Sequence, residues 1–305
     1  MNRKMLAMLL AAGLMLALSL GASAAVYKDE VVYARLLADG QVDSVYVVNL
    51  FEADTSEKVS DKGDYLEALP LSDMGDFSYQ DGVTSFTMQP GRFSYQGRVA
   101  QGSLPWDIRI QYLLDGQPVS PESLSGASGR LEGHLSVAVN EGMKAFADSL
   151  SLQITLTLDS DRCFNIQADK ATHAVAGGNR TLSFVVLPGQ GAEYVFSADV
   201  KDFMMAGIQA AGVRMGMDKQ MYQDAAAKAL AGSPLEAAVG NFMGNFLDAM
   251  QGRAVQSYAN EGNTVRALQF ILMVDGIPEK VIAPEASEAP KADTLWDRIL
   301  RLFGQ

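Results

Sequence analysis

Along residues 104–140 the apolar positions fall on alternate residues twice over. Trp106, Ile108, Ile110 and Tyr112 alternate with Asp107, Arg109 and Gln111, and Leu131, Leu135, Val137 and Val139 alternate with Glu132, His134 and Ser136. Successive side chains of a strand point to opposite faces, so each run predicts a strand with one buried face. Two such faces ask for a second sheet about 10 Å away, which is the logic of a β-sandwich. Between the runs, Asp115-Gly116 is a turn signal, and Ser120-Pro121-Glu122 puts a hydroxyl before a proline at a first helical position. That order predicts one short helical turn.

The same period recurs along the chain. Residues 30–37 and 42–50 form β-rich runs around Asp39-Gly40, a hairpin signal, and shorter runs at 77–80 and 83–88 turn at Asp81-Gly82. Residues 93–99 give a further strand, whereas 53–64, charged and rich in Ser and Asp, read as loop. Leu150, Leu152, Ile154, Leu156 and Leu158 make the clearest alternation, and two more runs, Leu182–Val186 and Tyr194–Val200, flank Pro188-Gly189-Gln190-Gly191. Strands of this length and spacing predict an immunoglobulin-like sandwich rather than a barrel. From Asp202 the period changes. Residues 221–231 and 234–250 read as helices broken at Gly232-Ser233-Pro234, with Leu235, Val239, Phe242, Phe246 and Met250 on one face. Val265, Leu268, Phe270, Leu272 and Val274 then predict a last strand, for which the N-terminal hairpin is one available partner.

The two ends read differently from the body. Arg3 and Lys4 precede an apolar run over 5–20, and Ala22-Ser23-Ala24 supplies small residues at a cleavage site, so residues 1–24 are expected to be a signal peptide cut after Ala24. Retention as an uncut anchor is the alternative. Residues 276–292, with Pro278, Pro284 and Pro290 among Ala and Glu, predict an extended linker. Beyond it, 293–305 predicts a short amphipathic helix whose apolar residues Leu295, Trp296, Ile299, Leu302 and Phe303 face away from Asp297, Arg298 and Arg301. The predicted organisation is therefore signal 1–24, N-terminal β domain 25–100, central sandwich 101–201, helical segment with a final strand 202–275, linker and tail helix. The fold class is mainly β with a smaller α part.

Composition narrows the function without naming it. The 305-residue chain carries 36 acidic and 24 basic residues, a net charge of −12 that grows more negative once Arg3 and Lys4 are removed. Such a charge opposes phosphate contacts, so nucleic acid is not an expected partner. One cysteine, Cys163, excludes an internal disulfide framework and is expected to be a small buried residue. His134 and His173, the two histidines, have no Cys or carboxylate spacing of a zinc site and read as solvent-facing polar residues on a strand and in a loop. Gly126-Ala127-Ser128-Gly129 falls one residue short of a nucleophile elbow. Asp61-Lys62-Gly63-Asp64 and Asp159-Ser160-Asp161 offer oxygens to a calcium ion but match no ligand spacing. No catalytic, cofactor-binding or metal residue is expected.

Residues 28–49 (KDEVVYARLLADGQVDSVYVVN) and 104–140 resemble uncharacterised exported proteins of Gram-positive anaerobes. The tyrosine, Leu-Asp-Gly, Leu-Ser-Gly pattern is also similar to extracellular segments of phage-infection-protein-like (YhgE/Pip-like) membrane proteins. The resemblance covers about half the chain and implies an envelope location and an immunoglobulin-like extracellular module, with no functional residues attached. The expected function is an exported, non-enzymatic binding or scaffold module of the cell envelope. Its tail helix, through Leu295, Trp296, Ile299, Leu302 and Phe303, is expected to bind a membrane surface or a partner protein, with return to the parent body as a third option. A secreted hydrolase acting on an envelope polymer is the competing function.

Overall fold

The computed structural model describes residues 26–72, 76–100, 102–213 and 255–280. In chain order the strands are β1 (Tyr27–Leu36), β2 (Val42–Ala53), β3 (Glu57–Lys62), β4 (Glu67–Pro70), β5 (Ser78–Gln80), β6 (Val83–Met88) and β7 (Gly91–Arg98). They continue as β8 (Trp106–Leu114), β9 (Gln117–Val119), β10 (Gly129–Val139), β11 (Ser151–Asp159), β12 (Cys163–Ala168), β13 (Thr172–Ala176) and β14 (Asn179–Val186). The last are β15 (Ala192–Val200), β16 (Ile208–Val213), β17 (Val255–Gln256), β18 (Thr264–Val265) and β19 (Ala267–Val274). The expected short helical turn stands at Pro121–Leu124.

Nine of these strands form one sheet in the order β13-β14-β11-β16-β19-β1-β2-β7-β4. A five-stranded sheet, β12-β15-β10-β8-β9, and a three-stranded sheet, β3-β6-β5, complete the layers together with the small β17-β18 pair. The last strand does return to the N-terminal hairpin: β19 lies parallel to β1, from Asp29 beside Ala267 to Leu36 beside Val274. Strands from residues 27–98, from 151–186 and from the final stretch thus share a single sheet, and their buried residues belong to one hydrophobic cluster.

Alternation explains the layering. In β1 Val32, Ala34 and Leu36 are buried, and in β19 Leu268, Phe270, Leu272 and Val274 are buried beside them, while the residues between point the other way. The five-stranded sheet covers this inner face over its β11-β16-β19 part. Trp106 of β8 lies against it, edge-on to Phe270 with ring centroids 6.0 Å apart. Gly212 of β16 has no side chain because the indole occupies its place: a Cβ there would sit 2.5 Å from Trp106 Cη2. The three-stranded sheet covers the β1-β2-β7 part through an aromatic cluster in which Phe86 meets Phe93 at 4.5 Å and Phe51 at 5.2 Å.

Three sequence expectations need correction. Residues 57–62, expected as loop, are strand β3. Its one buried position is Asp61, so no apolar alternation marks it. Residues 208–213, inside the stretch expected to be helical, form β16, in which Ile208, Ala210 and Gly212 face inward and Gly212 lies beneath the Trp106 indole. His173 lies on β13 rather than in a loop, exposed as expected. The expected signal peptide, the helices at 221–231 and 234–250, most of the linker and the tail helix lie outside the described residues.

Candidate functional site

Two clusters emerge from the register of β1. The first uses its inward positions. Lys28 and Glu30 occupy the same alternating row as Val32, Ala34 and Leu36, so the strand carries two charges into the space between the layers. Glu30 is 1% exposed and Asp61, arriving from β3, is 5% exposed. The Lys28 ammonium lies 2.8 Å from Glu30 Oε1 and 2.8 Å from Asp61 Oδ2. Buried carboxylates need every lone pair occupied, and these come close to it. Ser257 donates to Glu30 Oε1 at 2.6 Å, the Tyr258 N–H to Glu30 Oε2 at 2.8 Å, and Tyr95 to Asp61 Oδ2 at 2.5 Å. Asn263 adds a longer contact to Asp61 at 3.4 Å. Burial, then the neighbouring Tyr65 and Asp61, hold the Tyr95 phenol far above its ordinary pKa, so it stays a donor.

This arrangement clamps rather than catalyses. Its oxygens are spent on internal donors, and a cation already sits where the Asp61–Asp64 stretch offered a calcium ligand. It joins four elements, β1, β3, β7 and the Ser257–Asn263 turn between β17 and β18, and thereby fixes β1 in the middle of the nine-stranded sheet.

The second cluster uses the outward positions. On this face Tyr33 stands beside Tyr46 of β2 and Ile271 of β19, and Val31 stands beside Val48. Tyr33, Leu50, Leu69 and Met273 are exposed, and Val31, Tyr46, Val48 and Ile271 are half-buried only by their neighbours in the sheet. Among the described residues, neither smaller sheet reaches this side. Paired charges rim the patch. The Arg35 guanidinium donates to both Asp275 oxygens at 2.9 Å. Arg266 donates to Asp29 at 2.6 and 3.0 Å and to Glu52 at 3.1 Å, with the Tyr27 ring 5.4 Å from its guanidinium carbon. These bonds push the Arg35 and Arg266 pKa values up, and the Arg266 hydrogen bond holds the Glu52 carboxyl below the usual range, so the rim stays ionised and neutralised. A cavity of 410 Å³ opens at one end between Asp29, Leu50, Glu52, Ser72, Arg92 and Arg266. The patch thus has an apolar centre, with Tyr33, Tyr46, Ile271 and Met273, inside a rim of Arg–carboxylate pairs.

The expected binding residues Leu295, Trp296, Ile299, Leu302 and Phe303 lie outside the described residues. His134, expected to face solvent, does so on β10 and pairs with Glu132. The clamp went unnoticed in the sequence, although Lys28 and Glu30 on the apolar parity of β1 were its signal. The open face was hidden because Tyr and Val are ordinary strand residues on either face.

No protein family matches the chain, and no curated protein does. Among solved structures it is similar to the yeast delta-COP-I mu-homology domain, with 10% identity over 82% of this chain and 95% of that one, at a TM-score of 0.36. The yeast delta-COP-I mu-homology domain complexed with the Dsl1 WxWxV peptide is similar at 11% identity, the same coverage and a TM-score of 0.38. Scores of this size carry neither family membership nor function to this chain.

Proposed function

We propose that the chain is an exported, non-enzymatic scaffold of the cell envelope that binds a partner protein on the open face of its nine-stranded sheet. The observation that carries this reading is the face itself: an apolar Tyr, Val, Ile and Met patch, rimmed by neutralised charge pairs, on a sheet whose other face is covered along its central strands. The order of Arg3, Lys4, the apolar run and Ala22-Ser23-Ala24 supports export. Within this proposal residues 101–201 act as an immunoglobulin-like extracellular module, and Leu295, Trp296, Ile299, Leu302 and Phe303 form a second contact, with the membrane or a partner protein.

Site-specific photo-crosslinking in the producing cell tests it. A crosslinker at Tyr33 should give a discrete protein adduct, while one at Gln153, exposed on the same face but in the Thr-rich wing of β11, should not. Absence of an adduct at Tyr33, or equal adducts at both positions, would overturn the proposal.

A further inference from the structure

The two ends of the nine-stranded sheet are treated differently. At one end, β4 presents Pro70, which has no N–H to offer. The smaller sheets are guarded as well: β9 contains Pro118, β3 carries Lys58 and Lys62, and β12 breaks register around Asn165, whose φ is 48°. At the other end, β13 reads Thr-His-Ala-Val-Ala, with all five residues exposed and no proline, charge or bulge.

Hydrogen-bond parity shows which groups this edge offers. Ser160 N–H donates to Gly178 C=O at 2.9 Å, which extends the β11–β14 ladder by one pair. Antiparallel bonds alternate, so the even residues of β14 bond to β11 and the odd ones to β13. The Val185 carbonyl, odd and beyond the end of β13, accepts instead from the Tyr194 hydroxyl at 2.8 Å, as that parity requires. In β13, therefore, Thr172, Ala174 and Ala176 bond to β14, and the N–H and C=O of His173 and Val175 point outward. The Gly177-Gly178 turn, with φ of 56° and 80°, matches the twist of the two strands, so pairing runs to Ala176 and Asn179 at its base.

We infer that β13 pairs with β13 of a second copy, antiparallel and centred on Ala174. In that register His173 of each copy faces Val175 of the other, and all four outward groups bond at once. The central pair is Ala174 against Ala174, a close-spaced position that suits a small side chain. No charged residue lies between Ala171 and Asn179, so the chain's negative charge is not concentrated at the seam. The register matches itself, as a twofold axis requires of one patch, and the uncharged seam brings no like charges together when a second copy is the partner.

A contact of five residues per chain is small, so association is expected to be weak, with a Kd on the order of 0.1–1 mM. It should strengthen with salt as net charge is screened. Sedimentation should show the mass of the mature chain rising with concentration toward twice the monomer. Val175→Pro should abolish the rise without lowering the melting temperature, because the N–H it removes is not in the ladder. A register test is independent of affinity. Ala174→Cys should give a disulfide dimer on mild oxidation, with opposed Cα atoms about 4.5 Å apart. Ala176→Cys should not, and buried Cys163 adds little background. A monomer at every concentration, unchanged association in Val175→Pro, or equal crosslinking at 174 and 176 would overturn the inference.

Discussion

Trp106 and Gly212 offer the sharpest test of how the layers meet. Trp106 is 1% exposed, and truncating a buried Trp to Ala generally costs about 3–5 kcal/mol. The indole Nε1 has no hydrogen-bond partner among the described residues, and burying an unpaired donor costs about 1–3 kcal/mol that truncation returns. Trp106→Ala is therefore expected near the lower end, at about 3 kcal/mol. Gly212→Ala adds a methyl carbon 2.5 Å from Trp106 Cη2 and 2.7 Å from Cζ3, and overpacking of that kind costs about 1–3 kcal/mol. In the double variant the methyl enters the space the indole left, so the second cost should fall away, leaving a favourable coupling of about 1–2 kcal/mol. Urea melts followed by circular dichroism measure all three variants, provided the m-values agree. Additivity within about 0.5 kcal/mol would mean that β8 does not pack on β16, and the sandwich described above would be wrong.

Lys28→Met leaves Glu30 and Asp61 buried without their cation and should cost about 3–5 kcal/mol in a urea melt; a loss below about 1 kcal/mol would show that the cluster is solvated. Burial pushes the Cys163 thiol up to about 11 from 9.0 and the Tyr258 phenol up to about 12 from 10.0, with Tyr95, Tyr65 and Tyr112 raised in the same direction. The unfolded chain then releases these protons first, so stability should be full below about pH 9 and fall as pH rises through 9–12. A melting temperature flat from pH 8 to 11 would contradict the burial of these groups. For the tail, liposome co-sedimentation of the mature chain should exceed that of a chain lacking residues 294–305. Equal sedimentation would remove the membrane contact, and a lower melting temperature in the deletion would indicate docking on the body.

Strands with an apolar inner row were legible in the sequence, because alternation is a local property. Trp106–Tyr112, Leu150–Leu158 and Leu182–Val186 stand as strands for that reason. Strands whose inner row is polar were not. In β3 the buried residue is Asp61, stabilised by Lys28 from 33 positions away, and only the tertiary pairing shows why a carboxylate belongs there. Gly212 of β16 likewise makes sense only beneath Trp106. The return of the last strand to the N-terminal hairpin was available as one option, but its parallel sense and the joining of β11 to the same sheet through β16 were out of reach, because those pairings link segments far apart in the chain. Of the candidate site, the clamp had a local signal in the parity of Lys28 and Glu30. The open face had none, because its openness depends on where the smaller sheets stop.

That openness is most directly tested by methionine oxidation. Met273 on the open face is 43% exposed, whereas Met88 and Met205 on the covered side are 0% and 3% exposed. Mild peroxide followed by mass spectrometry should oxidise Met273 and spare the other two in the purified chain. In intact envelope, Met273 should become protected as the partner covers it. Equal oxidation of Met273 in both settings would contradict the proposal that this face is the binding surface.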